Sequence, residues 1–214
     1  MADQKQQSLS ERRCGSSELF LGCMYAGKTS KMLRKIERAR HGRLSCVLVK
    51  HATDDRFSAD PIIHTHSGTP VTSEAAAPDH GRLRVVEAHT LLSAALAADE
   101  LVVGVDEGQF FPDLPEAVDV WMREGRRVYI AALDGDFCRK PFGRVLETIP
   151  LANRVVKLTA VCMFCGESGG ERAAPSEASY TVRIVEGEVQ KMVGAKDKYR
   201  AACLKCYLQK TAQR

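Results

Sequence analysis

The sequence of 214 residues lacks any long apolar run and any strong excess of charge of one sign. No stretch approaches the roughly 18 consecutive apolar residues of a membrane-spanning helix, and the polar first residues do not resemble a secretory signal. The 31 basic and 27 acidic residues leave a net charge of +4, too small to predict nucleic-acid binding from charge alone. Aromatic residues make up only 6%, but an apolar fraction of 44% is enough for a buried core and excludes a disordered or collagen-like chain.

Eight cysteines are present, and half of them form two Cys-x-x-Cys pairs, Cys162/Cys165 and Cys203/Cys206. A chain of this size with no export signal favours a reducing compartment over a disulfide framework, so we expect a cytoplasmic protein with no membrane partner. The two pairs supply the four thiolates of a closed, structural Zn²⁺ site. A redox dithiol and ordinary buried thiols are the alternatives.

Apolar runs alternate with helical patterns over most of the chain, which predicts an α/β fold with a parallel sheet flanked by helices. The predicted strands are 18–22, 44–50, 82–88, 100–107, 127–133 and 155–161, and the predicted helices are 29–40, 89–100 and 113–125. The segment 51–81 is too long for an ordinary connection, which is typical of a functional or mobile loop.

The pattern changes after Ala160, where the segment between the cysteine pairs has too few apolar residues for a core of its own. We expect a β hairpin there, formed by 179–185 and 188–194. The predicted organisation is a flexible N-terminal tail at 1–17, a phosphate-binding α/β domain at 18–160, a small zinc-bound β appendage at 161–208 and a C-terminal tail at 209–214.

The segment GCMYAGKT, from Gly22 to Thr29, has two glycines flanking four residues and then Lys and Thr. Between a strand and a helix, this pattern predicts a phosphate-binding loop (P-loop) whose backbone amides surround the β-phosphate of a nucleotide. Lys28 would bridge the β- and γ-phosphates, and the Thr29 hydroxyl would bind Mg²⁺. The alternative is a glycine-rich turn that happens to end in Lys-Thr.

An acidic pair, Asp106 and Glu107, ends the apolar run LVVGVDE, at the edge where open α/β sheets bind ligands. Asp106 suits the Mg²⁺ shell, and Glu107 can accept a proton from an attacking hydroxyl or orient a water. The pair could instead cap the next turn. It does not separate a kinase from an ATPase, but a helicase motor normally needs two such folds, so a small-molecule phosphotransferase is favoured.

Aromatic and histidine side chains occupy two further polar segments. Phe137 and Phe142 can stack on a flat ring or seal the edge of the core, and the sequence favours neither. His51, His64 and His66 lack helix or strand spacing, so we interpret them as loop histidines rather than a metal site.

Five motifs together resemble the zinc-containing thymidine kinases, the family of human cytosolic and many bacterial enzymes. They are GCMYAGKTSKML, VVGVDEGQFFPDL, AALDGDFCRKPFG, LTAVCMFC and KDKYRAACLKCY, and the similarity extends from about Glu18 to about Leu208. The resemblance implies transfer of the γ-phosphoryl of ATP to the 5′-hydroxyl of thymidine, for the salvage of DNA precursors, with Mg²⁺ and a structural Zn²⁺. It also implies a lasso-like appendage that closes over the nucleoside.

The same resemblance implies a role for each matching residue, with Glu107 as the general base. The positions implied for ATP and Mg²⁺ are Gly22, Cys23, Met24, Tyr25, Ala26, Gly27, Lys28, Thr29, Ser30, Asp54, Arg56, Asp106 and Gln109. The positions implied for thymidine are Met24, Phe110, Leu133, Phe137, Thr181, Gln190, Lys191, Met192, Val193, Gly194 and Tyr199. The metal ligands would be Cys162, Cys165, Cys203 and Cys206.

Family members are commonly tetramers inhibited by thymidine triphosphate, so we expect a homotetramer or dimer with that feedback inhibitor and no nucleic-acid partner. Two departures stand out: QKMVG at 190–194 differs from the smaller apolar residues of relatives, and the stretch 166–179 is longer than in the human-type enzyme. Another deoxynucleoside kinase, a P-loop ATPase, and a nucleotide-regulated zinc module that binds nucleic acid or a partner are the alternatives.

Overall fold

The computed structural model describes residues 14–52, 63–64, 70–74, 79–165, 176–185 and 198–212. The strands are β1 (Ser16–Gly22), β2 (Ser45–His51), β3 (Ile63–His64), β4 (Pro70–Val71), β5 (Leu83–Ala88), β6 (Glu100–Val105), β7 (Arg127–Ala132), β8 (Arg154–Leu158), β9 (Ala160–Val161), β10 (Glu177–Ala178), β11 (Tyr180–Arg183) and β12 (Tyr199–Ala202). The α-helices are α1 (Lys28–His41), α2 (Leu114–Arg123) and α3 (Leu204–Thr211), and short 3₁₀ helices cover Gly108–Phe110 and Val145–Leu151.

Six strands form one sheet in the order β5-β2-β6-β7-β1-β8, and each neighbouring pair is parallel. The predicted fold class is therefore confirmed. All six carboxyl ends lie at one edge of the sheet, because parallel strands point the same way. The loops that carry the glycine-rich motif and the acidic pair follow β1 and β6 at that edge.

The sheet is covered on both faces because its strands alternate apolar residues between two helix layers. On β2, Cys46 and Leu48 pack with α1, whereas Val47 and Val49 pack with α2. Helix α1 presents Met32, Ile36 and Ala39 on one stripe, as the sequence period predicts, and ends before Gly42. Helix α2 has proline in its first turn, where the missing N–H costs nothing.

The predicted helix at 89–100 is wrong, since the described residues there form turns before Glu100 begins β6. Side chains from other parts of the chain form hydrogen bonds with the backbone amides and carbonyls of this segment. The Asp113 carboxylate accepts the amides of Leu91 and Leu92, at 2.9 and 2.8 Å. Arg84 donates to the carbonyl of Ala95, and Arg126 donates to that of Ala97. These tertiary bonds replace the helical ones and outweigh the helix-forming alanines.

The appendage consists of two short antiparallel pairs, β9 with β10 and β11 with β12, followed by α3. Strand β11 matches the first arm of the predicted hairpin, but the partner that the structure describes for it is β12. The second predicted arm, 188–194, lies outside the described residues. Helix α3 extends to Thr211, past the expected end of the appendage at residue 208. Within the part of the chain that the structure describes, every helix is too short or too polar to span a bilayer.

Candidate active site

The glycine-rich loop between β1 and α1 depends on two special glycine positions. Gly22 has φ of 147°, and a Cβ atom there would lie 2.3 Å from the carbonyl oxygen of Leu158 on β8. Gly27 has φ of 77° and caps α1, and a Cβ atom added there would meet nothing within 4 Å. The loop thus packs tightly on its sheet side and is open at the start of the helix, where free N–H groups favour an anion.

Lys28 points back into this loop and is almost fully buried. Its Nζ atom donates a 2.7 Å hydrogen bond to the carbonyl oxygen of Cys23. Burial lowers the pKa of Lys28 below its usual value, and the negative charges of Glu107 and Asp106 oppose this shift. The ammonium group is therefore held beside two carboxylates in a site from which water is largely excluded.

Thr29, in the first turn of α1, is joined to Asp106, the residue after β6. The Thr29 hydroxyl donates to a carboxylate oxygen of Asp106 at 2.8 Å, and the Asp106 amide continues the sheet by donating to Val49 O at 3.1 Å. A hydroxyl and a carboxylate oxygen at this distance are ligands that Mg²⁺ prefers. The predicted Mg²⁺ residues are thus adjacent, and their donor atoms suit that ion.

Glu107 adopts a left-handed backbone conformation, with φ of 51° and ψ of 46°. A non-glycine residue in this region is strained, and such strain is concentrated at functional sites. The Glu107 carboxylate accepts a 2.5 Å hydrogen bond from the side-chain amide of Gln109, whose own oxygen accepts from the Leu133 amide at 2.9 Å. Gln109 is 2% exposed, so it fixes the Glu107 carboxylate relative to the end of β7.

The sequence does not predict this bridging position of Gln109, because the family resemblance implies the residue only for the nucleotide site. Its link to Leu133 depends on how two neighbouring strands end, and no local pattern encodes that relationship. The two-residue spacing from Glu107 is a local signal for the contact between the two side chains, since a side chain two residues along a tight turn can return to its neighbour.

Of the predicted thymidine-site residues that the structure describes, all but Thr181 meet in one aromatic cluster. Met24, Leu133 and Tyr199 are buried together with Phe142, and Phe110 and Phe137 pack against them. The two loop phenylalanines differ in exposure: Phe142 is buried edge-to-face against Phe110, with 5.8 Å between ring centroids, whereas Phe137 is only partly buried. Phe142 therefore seals the edge of the core, whereas part of the Phe137 surface stays exposed.

Among the residues that the structure describes, three hydrogen bonds join the appendage to the glycine-rich loop. The Thr181 hydroxyl accepts from the Met24 amide at 3.1 Å, the Cys23 thiol donates to Ala178 O at 3.2 Å, and the Tyr25 hydroxyl donates to Tyr199 O at 3.1 Å. The appendage is therefore anchored to the loop that also carries Lys28. Burial raises the pKa of Cys23 despite the nearby Lys28 charge, which keeps this thiol protonated as a donor.

The four paired cysteines come together as predicted, and their sulfur atoms lie within 4.8 Å of one another. Cys165 Sγ is 3.8 Å from Cys203 Sγ and 3.7 Å from Cys206 Sγ. A tetrahedral site with metal–sulfur distances of about 2.3 Å has sulfur–sulfur edges of about 3.8 Å. Spacing and donor type therefore fit Zn²⁺, with no position left for a water ligand.

The histidines that the structure describes do not form a second convincing metal site. Glu37, His41 and His80 lie within 4.8 Å of one another, but Arg40 already contacts the Glu37 carboxylate at 3.0 Å and competes with any cation there. His51 is not a loop histidine as predicted, since it ends β2 and is buried against Phe111 with 4.9 Å between ring centroids. His66 lies outside the described residues, as does the side chain of His64.

Two groups of predicted site residues lie outside the described part of the chain: Asp54 and Arg56, and the segment Gln190, Lys191, Met192, Val193 and Gly194. A cavity of about 230 Å³ borders the site near Cys23 and Thr181. Its lining includes the ion pair of Asp134 and Lys157. None of the seven residues of the aromatic cluster, which also includes Tyr25, lines it.

Comparison with known proteins gives a consistent family match. A family model described as thymidine kinase matches residues 15–207. The cytosolic thymidine kinase of Homo sapiens is 36% identical over 199 residues, covering 92% of this chain and 75% of the human protein. That of Cricetulus griseus is 39% identical over 200 residues with the same coverage. The thymidine kinase of Vaccinia virus (strain Western Reserve) is 36% identical over 195 residues, 91% of this chain and 97% of the viral protein.

Proposed function

This chain belongs to the thymidine kinase family, and we propose that it transfers the γ-phosphoryl group of ATP to the 5′-hydroxyl of thymidine. Its role would be to supply thymidine monophosphate for DNA synthesis by salvage. We further propose that it acts in the cytoplasm, as the names of the mammalian relatives state for those proteins. A homotetramer or dimer and feedback inhibition by thymidine triphosphate belong to the same proposal, on the basis of family resemblance.

One observation carries the proposed reaction. Glu107, at the carboxyl end of β6, interacts electrostatically with the buried Lys28 of the loop and is linked through Gln109 to Leu133 of the aromatic cluster. A phosphoryl donor at the loop and a flat pyrimidine at the aromatic cluster would bring the donor and the acceptor hydroxyl to the same carboxylate. Phosphoryl transfer depends chiefly on such positioning and on electrostatic stabilisation.

In the proposed mechanism, the Glu107 carboxylate accepts the proton of the 5′-hydroxyl as its oxygen attacks the γ-phosphorus. A bond forms between O5′ and the γ-phosphorus, and the bond from that phosphorus to the β–γ bridging oxygen breaks, leaving ADP. Lys28 and the amides at the start of α1 stabilise the charge that develops on the phosphate oxygens. Thr29 and Asp106 would hold Mg²⁺, which supplies charge neutralisation and orients the triphosphate.

The proposed nucleoside site is formed by Met24, Phe110, Leu133, Phe137 and Tyr199, with Thr181 fixing the backbone of the loop. These side chains offer apolar and aromatic contact to a flat base, which is the usual composition of a small-molecule pocket. The four clustered cysteines would hold Zn²⁺ as a structural ion. That ion would stabilise the appendage, which carries Thr181 and Tyr199. The appendage also carries Ala178, whose carbonyl oxygen accepts a hydrogen bond from the Cys23 thiol.

The direct test is to incubate the purified protein with Mg²⁺, γ-labelled ATP and each nucleoside separately, and to resolve the labelled products. We expect label on thymidine monophosphate and little on purine or cytidine nucleotides. Label on another deoxynucleoside would revise the substrate alone. Release of free phosphate only would favour the ATPase, and no turnover together with salt-sensitive nucleic-acid binding would favour the zinc-module alternative.

A further inference from the structure

Arg183 is a buried charged residue that the proposed mechanism does not use. It is the last residue of β11, it lies directly opposite Tyr199 on β12, and it is 1% exposed. Thr181 lies on the same face of β11, two residues earlier, and bonds to Met24. Val182, on the other face, packs into the cluster around the cysteines. Arg183 thus lies on the face of the appendage that is turned toward the aromatic cluster.

The Arg183 guanidinium lies over the ring of Phe137, 3.9 Å from the ring centroid. One of its terminal nitrogens donates to the Tyr199 hydroxyl at 3.4 Å, and the Tyr199 ring centroid is 5.7 Å away. A guanidinium can stack on an aromatic face and donate in its own plane at the same time, which neither lysine nor an apolar side chain can do. Since burying a charge is costly unless it has such partners, the geometry ties Arg183 to these two aromatic rings.

The appendage also holds the backbone of Phe137. The Tyr207 hydroxyl, from the residue after the cysteine ligand Cys206, donates to Phe137 O at 2.8 Å. On the other side, the turn after Phe137 is fixed by the Asp136 carboxylate, which accepts the amides of Cys138 and Lys140 at 2.8 and 2.9 Å. The backbone at Phe137 is therefore fixed, and the guanidinium of Arg183 supports its ring.

We propose that Arg183 is a positioning residue for the nucleoside, which acts by fixing the rings of Phe137 and Tyr199 and thereby sets the affinity for thymidine. This rests on the proposed function, in which these two rings line the site for the base. The contacts that the structure describes for the Arg183 guanidinium are with the rings of Phe137 and Tyr199, which belong to the aromatic cluster and not to the glycine-rich loop. Its loss therefore changes the KM for thymidine much more than the KM for ATP.

The test compares R183M and R183K with the wild-type protein in steady-state kinetics. R183M keeps much of the length and volume but has neither charge nor donors, and its KM for thymidine is expected to rise about tenfold, the effect of losing roughly 1.4 kcal/mol. The KM for ATP should change less than about twofold, since loop contacts are retained. R183K restores the charge without the planar group, so its KM for thymidine is expected to lie between those of R183M and wild type.

R200M is the matched control. Arg200 lies on β12 beside Val182 and also stacks on an aromatic ring, that of Phe164, at 5.5 Å. This ring belongs to the cysteine cluster and not to the base site, so R200M should leave the KM for thymidine within about twofold of wild type. If R200M and R183M raise it equally, the effect is general loosening of the appendage, and the positioning role is wrong.

A double-mutant cycle with F137L tests whether Arg183 influences the KM for thymidine through the Phe137 ring. If Arg183 acts through Phe137, the increase in KM for the R183M/F137L protein is smaller than the product of the single increases. The proposal is overturned if the increase in KM for the double variant equals the product of the single increases. It is also overturned if the KM for thymidine is unchanged in R183M. If R183M loses its zinc or no longer unfolds cooperatively, R183K is the deciding variant. A KM for thymidine in R183K equal to that of the wild-type protein then rejects the positioning role. A wild-type protein that does not phosphorylate thymidine rejects the proposed function itself.

Discussion

The hydroxyl of Thr29 lies 2.8 Å from a carboxylate oxygen of Asp106 and donates a hydrogen bond to it. This contact joins the first turn of α1 to the end of β6, two elements that are far apart in the sequence. The adjacent Lys28 is buried between the loop backbone and the same acidic pair. One hydroxyl, one ammonium and two carboxylates thus converge at the carboxyl edge of the sheet, where ligands bind in open α/β folds.

Replacing Thr29 by valine tests whether this pair binds Mg²⁺ with ATP. T29V keeps the shape of the side chain but removes the oxygen, so we expect kcat/KM for ATP to fall about tenfold or more, with a higher Mg²⁺ concentration at half-maximal rate. T148V is the control, because it removes a buried hydroxyl that bonds only locally, to Val145 O. An Mg²⁺ dependence equal in the two variants would contradict the assignment.

Glu107→Gln tests the general base. Glutamine preserves the size of the side chain but cannot accept the proton, so kcat should fall roughly 10²- to 10⁴-fold while ATP still binds. Rates come from the labelled-ATP assay and ATP affinity from calorimetry. Glu124→Gln, which removes an exposed carboxylate paired with Arg126, should leave kcat unchanged. Near-normal turnover in the Glu107 variant would reject the assignment.

Gln109→Leu tests whether the bridge from Glu107 to Leu133 orients the base. The substitution removes the amide that holds the carboxylate, so kcat should fall about tenfold, as expected for a lost hydrogen bond to a charged group. If Gln109 acts through Glu107, the double variant with Glu107→Gln should be no slower than Glu107→Gln alone. A further tenfold loss in the double variant would mean that Gln109 acts independently of Glu107.

Much of this architecture follows from local sequence patterns, because those patterns reflect local physics. The stripe of Met32, Ile36 and Ala39 predicts α1, and the motif from Gly22 to Thr29 predicts a loop that needs glycines at its tight and left-handed positions. The clustering of the four cysteine sulfur atoms follows likewise from the two Cys-x-x-Cys spacings. In each case the relevant neighbours lie within a few residues or the chemistry itself specifies the partner.

The features that the sequence does not predict depend on distant side chains. The helix expected at 89–100 is absent because Asp113, Arg84 and Arg126 bind its backbone groups. The role of Gln109 depends on the amide of Leu133 on a neighbouring strand. Arg183 carries no sequence signal, because its burial against Phe137 requires the appendage to fold onto the sheet domain.

Removal of the metal tests the role of the four cysteines. Chelation, or Cys203→Ser, should raise the KM for thymidine severalfold more than the KM for ATP, because the appendage supplies Tyr199 and Thr181, whereas the glycine-rich loop belongs to the sheet domain. The thermal midpoint should also fall by several degrees, since small metal-stapled segments derive much of their stability from the ion. Cys14→Ser, which changes an exposed free thiol, is the control. Freshly purified protein without zinc would contradict this role.

Lys28 should be a source of instability in the absence of nucleotide. Burial lowers its pKa below the ordinary value of 10.5, so the folded protein holds the charged form less readily than the unfolded chain does. Between the folded and unfolded pKa values the unfolded chain binds more protons, so stability rises with pH across that window. Below both pKa values, where Lys28 is charged in the folded and the unfolded chain alike, the full cost of the buried charge is present.

Lys28→Met should therefore abolish turnover and yet leave the thermal midpoint at pH 7 equal to that of wild type or about 2 °C higher. The comparison requires nucleotide-free protein, because bound ATP would stabilise the wild type selectively through the same ammonium group. Lys31→Met, at an exposed position of α1, controls for the loss of a surface charge.

The advantage of Lys28→Met should shrink as the pH rises into that window, since wild-type Lys28 then becomes neutral. A midpoint several degrees below wild type at pH 7 would mean that the bond from Nζ to Cys23 O outweighs the cost of burial, and that Lys28 stabilises the loop even without a phosphate to bind.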